Sequence, residues 1–295
     1  MISFKNISKT YTQKSGKITA LDNISLEIQK GELFGLIGPD GAGKTSLFRI
    51  LATLIEQNSG QATVCGFDVS TQWKEIRQIV GYMPGRFSLY QDLSVEENLK
   101  FFADIFATTI EKNYDVIRDI YVQIEPFKTR RASKLSGGMK QKLALCCALI
   151  HKPQVLFLDE PTTGVDPVSR KEFWAILGKL NAADITIMVS TPYMDEAKLC
   201  QRIALIQGGK ILSVDTPQNI INKNNNTVFE VRSDDNYSLL KNLRQRNDVS
   251  SCYIFGDTLH AVFKDNILPE NLPQNIYIQK ITPDIEDCFI EQMSH

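Results

Sequence analysis

The sequence predicts an α/β fold, a mainly parallel sheet covered by helices, followed by a small α+β appendage. Three observations lead there. Short apolar runs at Leu33 to Ile37, Val155 to Leu158 and Ile185 to Ser190 suit strands buried on both faces. Each run is followed by a loop and then a helical pattern, the alternation of a helix-covered parallel sheet. At Asn222 to Asn226, NKNNN, the composition breaks and shorter strand-like runs take over.

In chain order, the first informative element is LFGLI, which runs into Gly38-Pro39-Asp40-Gly41-Ala42-Gly43-Lys44-Thr45. The pattern G-x-x-x-x-G-K-[ST] after a strand and before a helix is that of a phosphate-binding loop. Glycines let consecutive backbone N–H groups turn inward around phosphate oxygens. The helix-like SLFRILATL adds its positive dipole end. Lys44 supplies a mobile cation for the β- and γ-phosphates, Thr45 a hydroxyl for magnesium, and Ser46 completes the expected nucleotide contacts.

Further on, Ser94-Val95-Glu96-Glu97 fits a capping box that starts a helix over NLKFFADIF. Val155 to Leu158 ends in Asp159-Glu160. Asp159 sits where a carboxylate holds magnesium, and Glu160 where a general base orients a water. The plain reading of that segment is a strand followed by solvated acids; a phosphate loop in the same chain weighs against it. Gly208-Gly209 between RIALIQ and KILSV reads as a hairpin. Beyond the Asn-rich break, VFEVRS, a helical stretch from Tyr237 to Arg246, SSCYIFG and TLHAVF read as a small α+β unit over residues 227–295.

The 295 residues suffice for one large domain and one small one. With 33 basic and 34 acidic residues the net charge is −1, which gives no electrostatic case for a nucleic-acid partner. The six cysteines, Cys65, Cys146, Cys147, Cys200, Cys252 and Cys288, form no CxxC pair. Free thiols in a reducing compartment are therefore expected, not a zinc site or a disulfide framework. No segment approaches the ~18 apolar residues that cross a bilayer. MISFKNISKT lacks the apolar centre of a signal peptide. The expected location is cytoplasmic, with any membrane role exerted through a partner.

Leu135-Ser136-Gly137-Gly138-Met139-Lys140-Gln141, followed by LALCCALI, resembles the signature of ABC ATPases. The resemblance covers residues 1–220. It implies a P-loop ABC ATPase domain, with a RecA-like core and a helical subdomain over about 86–140, that binds ATP and Mg. Lys44 and Glu160 would be its catalytic residues. By resemblance, Ser136, Gly137 and Gly138 bind the γ-phosphate of ATP held by a second ATPase domain, again through N–H groups at a helix start. Tyr11 is similar to the aromatic that stacks on adenine; its plain role is that of an ordinary strand or loop aromatic. Gly164-Val165-Asp166-Pro167 resembles the loop that crosses to the partner, and Asp166 before Pro167 also suits a helix N-cap. GYMPGRFSLYQDLSVEENL, LSGGMKQKLALCCALI and STPYMDEA are similar to the daunorubicin-type, multidrug exporter ATPases, and ITPDIEDCFI to their C-terminal helix. That resemblance implies separate transmembrane permease subunits and a peripheral place at the inner face of the cell membrane.

Two positions depart from the family pattern. Gly85 stands after Met83-Pro84 where the family carries glutamine, and Gln91 comes six residues later, past the loop. Pro192 stands where the family carries a switch histidine, and proline cannot donate a hydrogen bond. The only histidines are His151, His260 and His295, none of them near that position. The one-sided departure favours a heterodimer with a competent ATPase over a homodimer. A regulatory nucleotide-binding subunit with little hydrolysis is the alternative. A non-transport ABC protein is a further one, but the interval between Lys44 and Ser136 lacks the sustained heptads of those proteins.

Overall fold

The chain opens on a long antiparallel hairpin, β1 (Ile2–Gln13) and β2 (Gly16–Ile28), which the apolar-run pattern does not single out. The computed structural model describes residues 1–14, 16–269, 271–272 and 276–293. After the hairpin come β3 (Leu33–Ile37), α1 (Lys44–Leu51), β4 (Ser59–Val64), β5 (Phe67–Asp68) and α2 (Trp73–Ile79). Next are β6 (Val80–Met83), α3 (Val95–Ile105), α4 (Tyr114–Tyr121), α5 (Gly137–Leu149), β7 (Val155–Asp159) and α6 (Pro167–Ala182). Then β8 (Thr186–Thr191), β9 (Arg202–Gln207) and β10 (Lys210–Asp215) complete the first of two contact-defined units, Met1–Asp215.

The central sheet of this unit has the order β10-β9-β3-β8-β7-β6 among the described residues. From β9 to β6 neighbouring strands run parallel, and β10 returns antiparallel through Gly208-Gly209. Every residue of β3 and β7 is buried, the reason both read as unbroken apolar runs. A second, antiparallel sheet has the order β2-β1-β4-β5. α1 lies between the two sheets: its Leu47, Phe48 and Leu51 share one core with Phe34, Leu36 and Phe157 of the central sheet and with Ile2, Phe4 and Ile28 of the hairpin. That packing pins the start of α1 at the mouth of β3.

α3 and α4 each pack on α5. α3 starts at the expected capping box. The Ser94 hydroxyl accepts from the Glu97 N–H (3.2 Å), and the Glu97 carboxylate accepts from the Ser94 N–H (2.7 Å). Such a cap contributes about 1 kcal/mol.

The second unit, Thr216–His295, contains α7 (Pro217–Asn222), β11 (Val228–Arg232), α8 (Asn236–Arg244), β12 (Val249–Phe255), β13 (Thr258–Phe263), β14 (Tyr277–Ile281) and α9 (Ile285–Met293). Its antiparallel sheet has the order β12-β13-β11-β14. α8 crosses from β11 to β12 with β13 inserted between them, a split β-α-β arrangement. On one face, Leu239, Leu240 and Leu243 of α8 pack against Phe229, Val231, Leu259, Ala261 and Phe263. The alternate residue His260 points to the other face, where its Nδ1 pairs with Asp287 of α9 at 2.7 Å. The Tyr253 hydroxyl donates to the same carboxylate.

Candidate nucleotide site

β3 and α1 place the phosphate loop, and two neighbours brace it. The Gly38 N–H donates to the Thr191 carbonyl at the end of β8 (3.3 Å), and the Gly209 N–H to the Ala42 carbonyl (3.0 Å). Gly43 precedes α1 with φ 107°, and a Cβ there would lie 2.2 Å from the Ala20 carbonyl oxygen of β2. Glycine alone permits both that dihedral and that approach. No side chain caps the first N–H groups of α1, and no acid lies in its first turn. The loop thus faces a helix start suited to an anion.

Lys44 is only 3% exposed. Its ammonium donates to the Gly38 (2.8 Å) and Pro39 (3.0 Å) carbonyls and sits 3.1 Å from the Glu160 carboxylate. The two residues expected to act in catalysis therefore meet. Glu160 follows β7 with φ 50°, a left-handed conformation that costs a non-glycine residue about 1–3 kcal/mol. Its N–H is held by both the carbonyl and the hydroxyl of Ser190, each at 3.0 Å. The Ser190 hydroxyl in turn donates to Asp159 at 2.6 Å. Asp159 is buried, and burial together with this charge pushes the Tyr82 phenol of β6 up to about 12.

The other expected contacts fall in two places. Tyr11 on β1 brings its hydroxyl to 3.2 Å from the Ser46 hydroxyl, beside the phosphate loop; Thr45 precedes Ser46 in α1. Ser136, Gly137 and Asp166 lie elsewhere, exposed. Ser136 caps α5, accepting from the Met139 N–H. Asp166 caps α6, accepting from the Ser169 N–H at 3.0 Å, and this bond holds its carboxyl below the usual carboxylate range. A Cβ on Gly138 would meet Ser169 Oγ at 2.7 Å, so glycine lets α5 approach the start of α6. Signature and crossing loop thus form one surface.

The departures take definite places. A Cβ on Gly85 would lie 3.0 Å from the Asp159 carbonyl oxygen, so bare backbone runs beside the acidic pair. Gln91 is exposed, its carbonyl accepting from the Ser133 N–H. Beyond Pro192, the Tyr193 ring lies under the Arg170 guanidinium at 4.1 Å. His151 pairs with the Val80 carbonyl and stacks on Phe106, away from the phosphate loop.

Sequence reasoning missed Ser190, Thr191, Thr162 and Glu196. The available signal was polar residues ending the apolar run of β8. The Thr162 and Thr191 hydroxyls both donate to the buried Glu196 carboxylate.

Residues 21–163 match the family described as ABC transporter. Over 281 residues the chain is 38% identical to the "Probable multidrug ABC transporter ATP-binding protein YbhF" of Escherichia coli (strain K12), a match covering 92% of this chain. The chain spans about half, 49%, of that relative's length. It is 34% identical over 275 residues to the "Nod factor export ATP-binding protein I" of Burkholderia pseudomallei (strain 1710b), covering 89% of each. Among solved structures it is similar to the dimeric post-hydrolysis state of the ATP-binding cassette MJ0796 bound to ADP and Pi. The TM-score is 0.67 at 25% identity, over 73% of this chain and 98% of that one.

Proposed function

The chain belongs to the ABC transporter family of ATP-binding proteins, and we propose that it is the ATP-hydrolysing subunit of an exporter, driving separate membrane-spanning subunits. One observation carries the chemistry: Lys44 of the phosphate loop and Glu160 of the acidic strand meet at 3.1 Å beside a helix N-terminus. Phosphoryl transfer to water needs a cation on the moving phosphoryl group and a base on the attacking water. Lys44 takes the first role and Glu160 the second. Thr45 and Asp159 supply hard oxygen donors that fit Mg. When bound, the ion neutralises charge on the β- and γ-phosphates. Tyr11 stacks on adenine, and Pro39, Asp40, Gly41 and Ala42 complete the cradle.

Ser136, Gly137, Gly138 and Asp166 serve ATP held by a second ATPase domain; Ser136, Gly137 and Asp166 are exposed on one surface. Gly85 and Pro192 leave this chain's own site without two polar side chains. A heterodimer with a competent ATPase then has one fast site, completed by this chain's signature. The name of the Burkholderia relative, a Nod factor export protein, favours export. No helix among the described residues is long and apolar enough to cross a membrane, and we give the crossing to permease subunits. An apolar groove of about 600 Å³ between Met83 and Phe102, with exposed Leu54 and Ile105, suits an amphipathic segment of such a partner. The subunit then sits peripherally at the inner membrane face.

Steady-state ATPase activity tests this. The chain alone should turn over slowly, since losing a positioning group costs on the order of 10² to 10³ in rate. Adding the second ATPase and permease should raise the rate, and Ser136→Ala should damage it more than Glu160→Gln. Fast turnover by the chain alone, insensitive to partners and abolished by Glu160→Gln, would refute the asymmetric pairing. No turnover in any assembly would refute the hydrolytic role and leave the regulatory subunit.

A further inference from the structure

We propose that Glu196 is a positioning residue for the nucleotide site, clamping the loop after Glu160 to the end of β8 through the hydroxyls of Thr162 and Thr191. The inference rests on the nucleotide-site reading and deepens it. Glu196 is 1% exposed, in a short 3-10 turn, Met194–Leu199, just after Pro192. One carboxylate oxygen accepts from Thr162 Oγ1 at 2.7 Å, and the other from Thr191 Oγ1. Arg170 Nε lies 3.6 Å from the first oxygen.

Each partner leads directly to the site. Thr162 is two residues past Glu160. Thr191 follows Ser190, whose carbonyl and hydroxyl hold the Glu160 N–H, and the Thr191 carbonyl accepts from Gly38 of the phosphate loop. Arg170 lies in α6, which Asp166 caps. One carboxylate therefore ties the acidic loop, the switch segment and the helix leading from the crossing loop. A buried carboxylate is costly unless fully paired, and an apolar side chain fills such a space without that cost. A buried carboxyl group that meets both threonine hydroxyls points to positioning.

Pro192 sharpens the case. It offers no side-chain donor and no N–H, so the segment around it is held from either side. The Tyr193 N–H donates to Thr191 Oγ1 at 3.0 Å, and the Tyr193 ring lies under Arg170. Both anchors converge on the Glu196–Arg170 pair. One turn along α6, the buried Trp174 lines the same concavity as Arg170 and Glu196. Its indole is a built-in reporter.

The test uses the full chain with Trp73→Phe, leaving Trp174 as the sole tryptophan of the two. MgATP should change Trp174 emission. Glu196→Gln and Thr162→Val should bind MgATP with unchanged affinity by calorimetry yet lose that change. For the chain alone, where only its own site turns over, each should lower the slow kcat about 10- to 100-fold with KM unchanged, the scale of a small misplacement of reacting groups. Thr162→Ser, which keeps the hydroxyl, should restore both readouts. Variants that lose heat stability but keep the emission change and kcat overturn the proposal, because the cluster is then structural only. If Glu196→Gln fails to fold, the Thr162→Val and Thr162→Ser pair decides by the same readouts. Failure of the unsubstituted chain to bind MgATP overturns the nucleotide-site reading itself.

Discussion

Replacing Lys44 by alanine removes the ammonium that the Gly38 and Pro39 carbonyls hold at 2.8 and 3.0 Å and that Glu160 faces at 3.1 Å. These contacts do not add up to a loss of affinity, because arriving phosphate exchanges them for contacts to its own oxygens. The net difference is one charge-assisted interaction in a nearly water-free position, about 1.5–3 kcal/mol. That corresponds to an MgATP Kd about 10- to 100-fold higher. Glu160 pushes the effect toward the upper end, since without Lys44 its carboxylate repels the incoming γ-phosphate. Calorimetric titration of Lys44→Ala with MgATP measures the loss, and the double variant Lys44→Ala, Glu160→Gln isolates the repulsion. The double variant should recover part of the affinity. Wild-type affinity in Lys44→Ala would refute the loop as the phosphate site. Equal affinities in single and double variants would refute the facing of Lys44 and Glu160.

Gly43→Ala should lose MgATP binding and about 1–2 kcal/mol or more of stability in urea unfolding, since its Cβ would lie 2.2 Å from the Ala20 carbonyl oxygen at φ 107°; unchanged unfolding and binding would contradict the steric argument. In the second unit, burial raises the Asp287 carboxyl, but hydrogen bonds from His260, the Asp284 N–H and Tyr253 outweigh it and leave its pKa lowered. A depressed carboxylate contributes stability that is complete above the ordinary carboxylate value and lost as pH falls through the folded one. Hydrogen exchange at β11 and β13 should show Asp287→Asn less protected at neutral pH and less sensitive to acid; identical acid slopes would count against the pairing.

Much of this protein is legible without coordinates wherever the cause is local. The phosphate loop is readable because its conformation needs glycines and Lys44 at fixed spacing, and the capping box because Ser94 and Glu97 satisfy each other within one turn. β3 and β7 are readable because burial on both faces leaves them apolar throughout. The hairpin escapes notice because β1 is buried only in part and register shifts after Phe4, Ile7 and Lys9 break the two-residue period. Tertiary structure alone decided that Lys44 meets Glu160, that Ser190 holds both acids, and that Glu196 ties Thr162 to Thr191. Those contacts follow from β8 lying between β3 and β7, an order unlike the order of the chain. Sequence spacing carries the periodicity of one element, whereas strand order is settled by which apolar faces bury each other across the whole sheet.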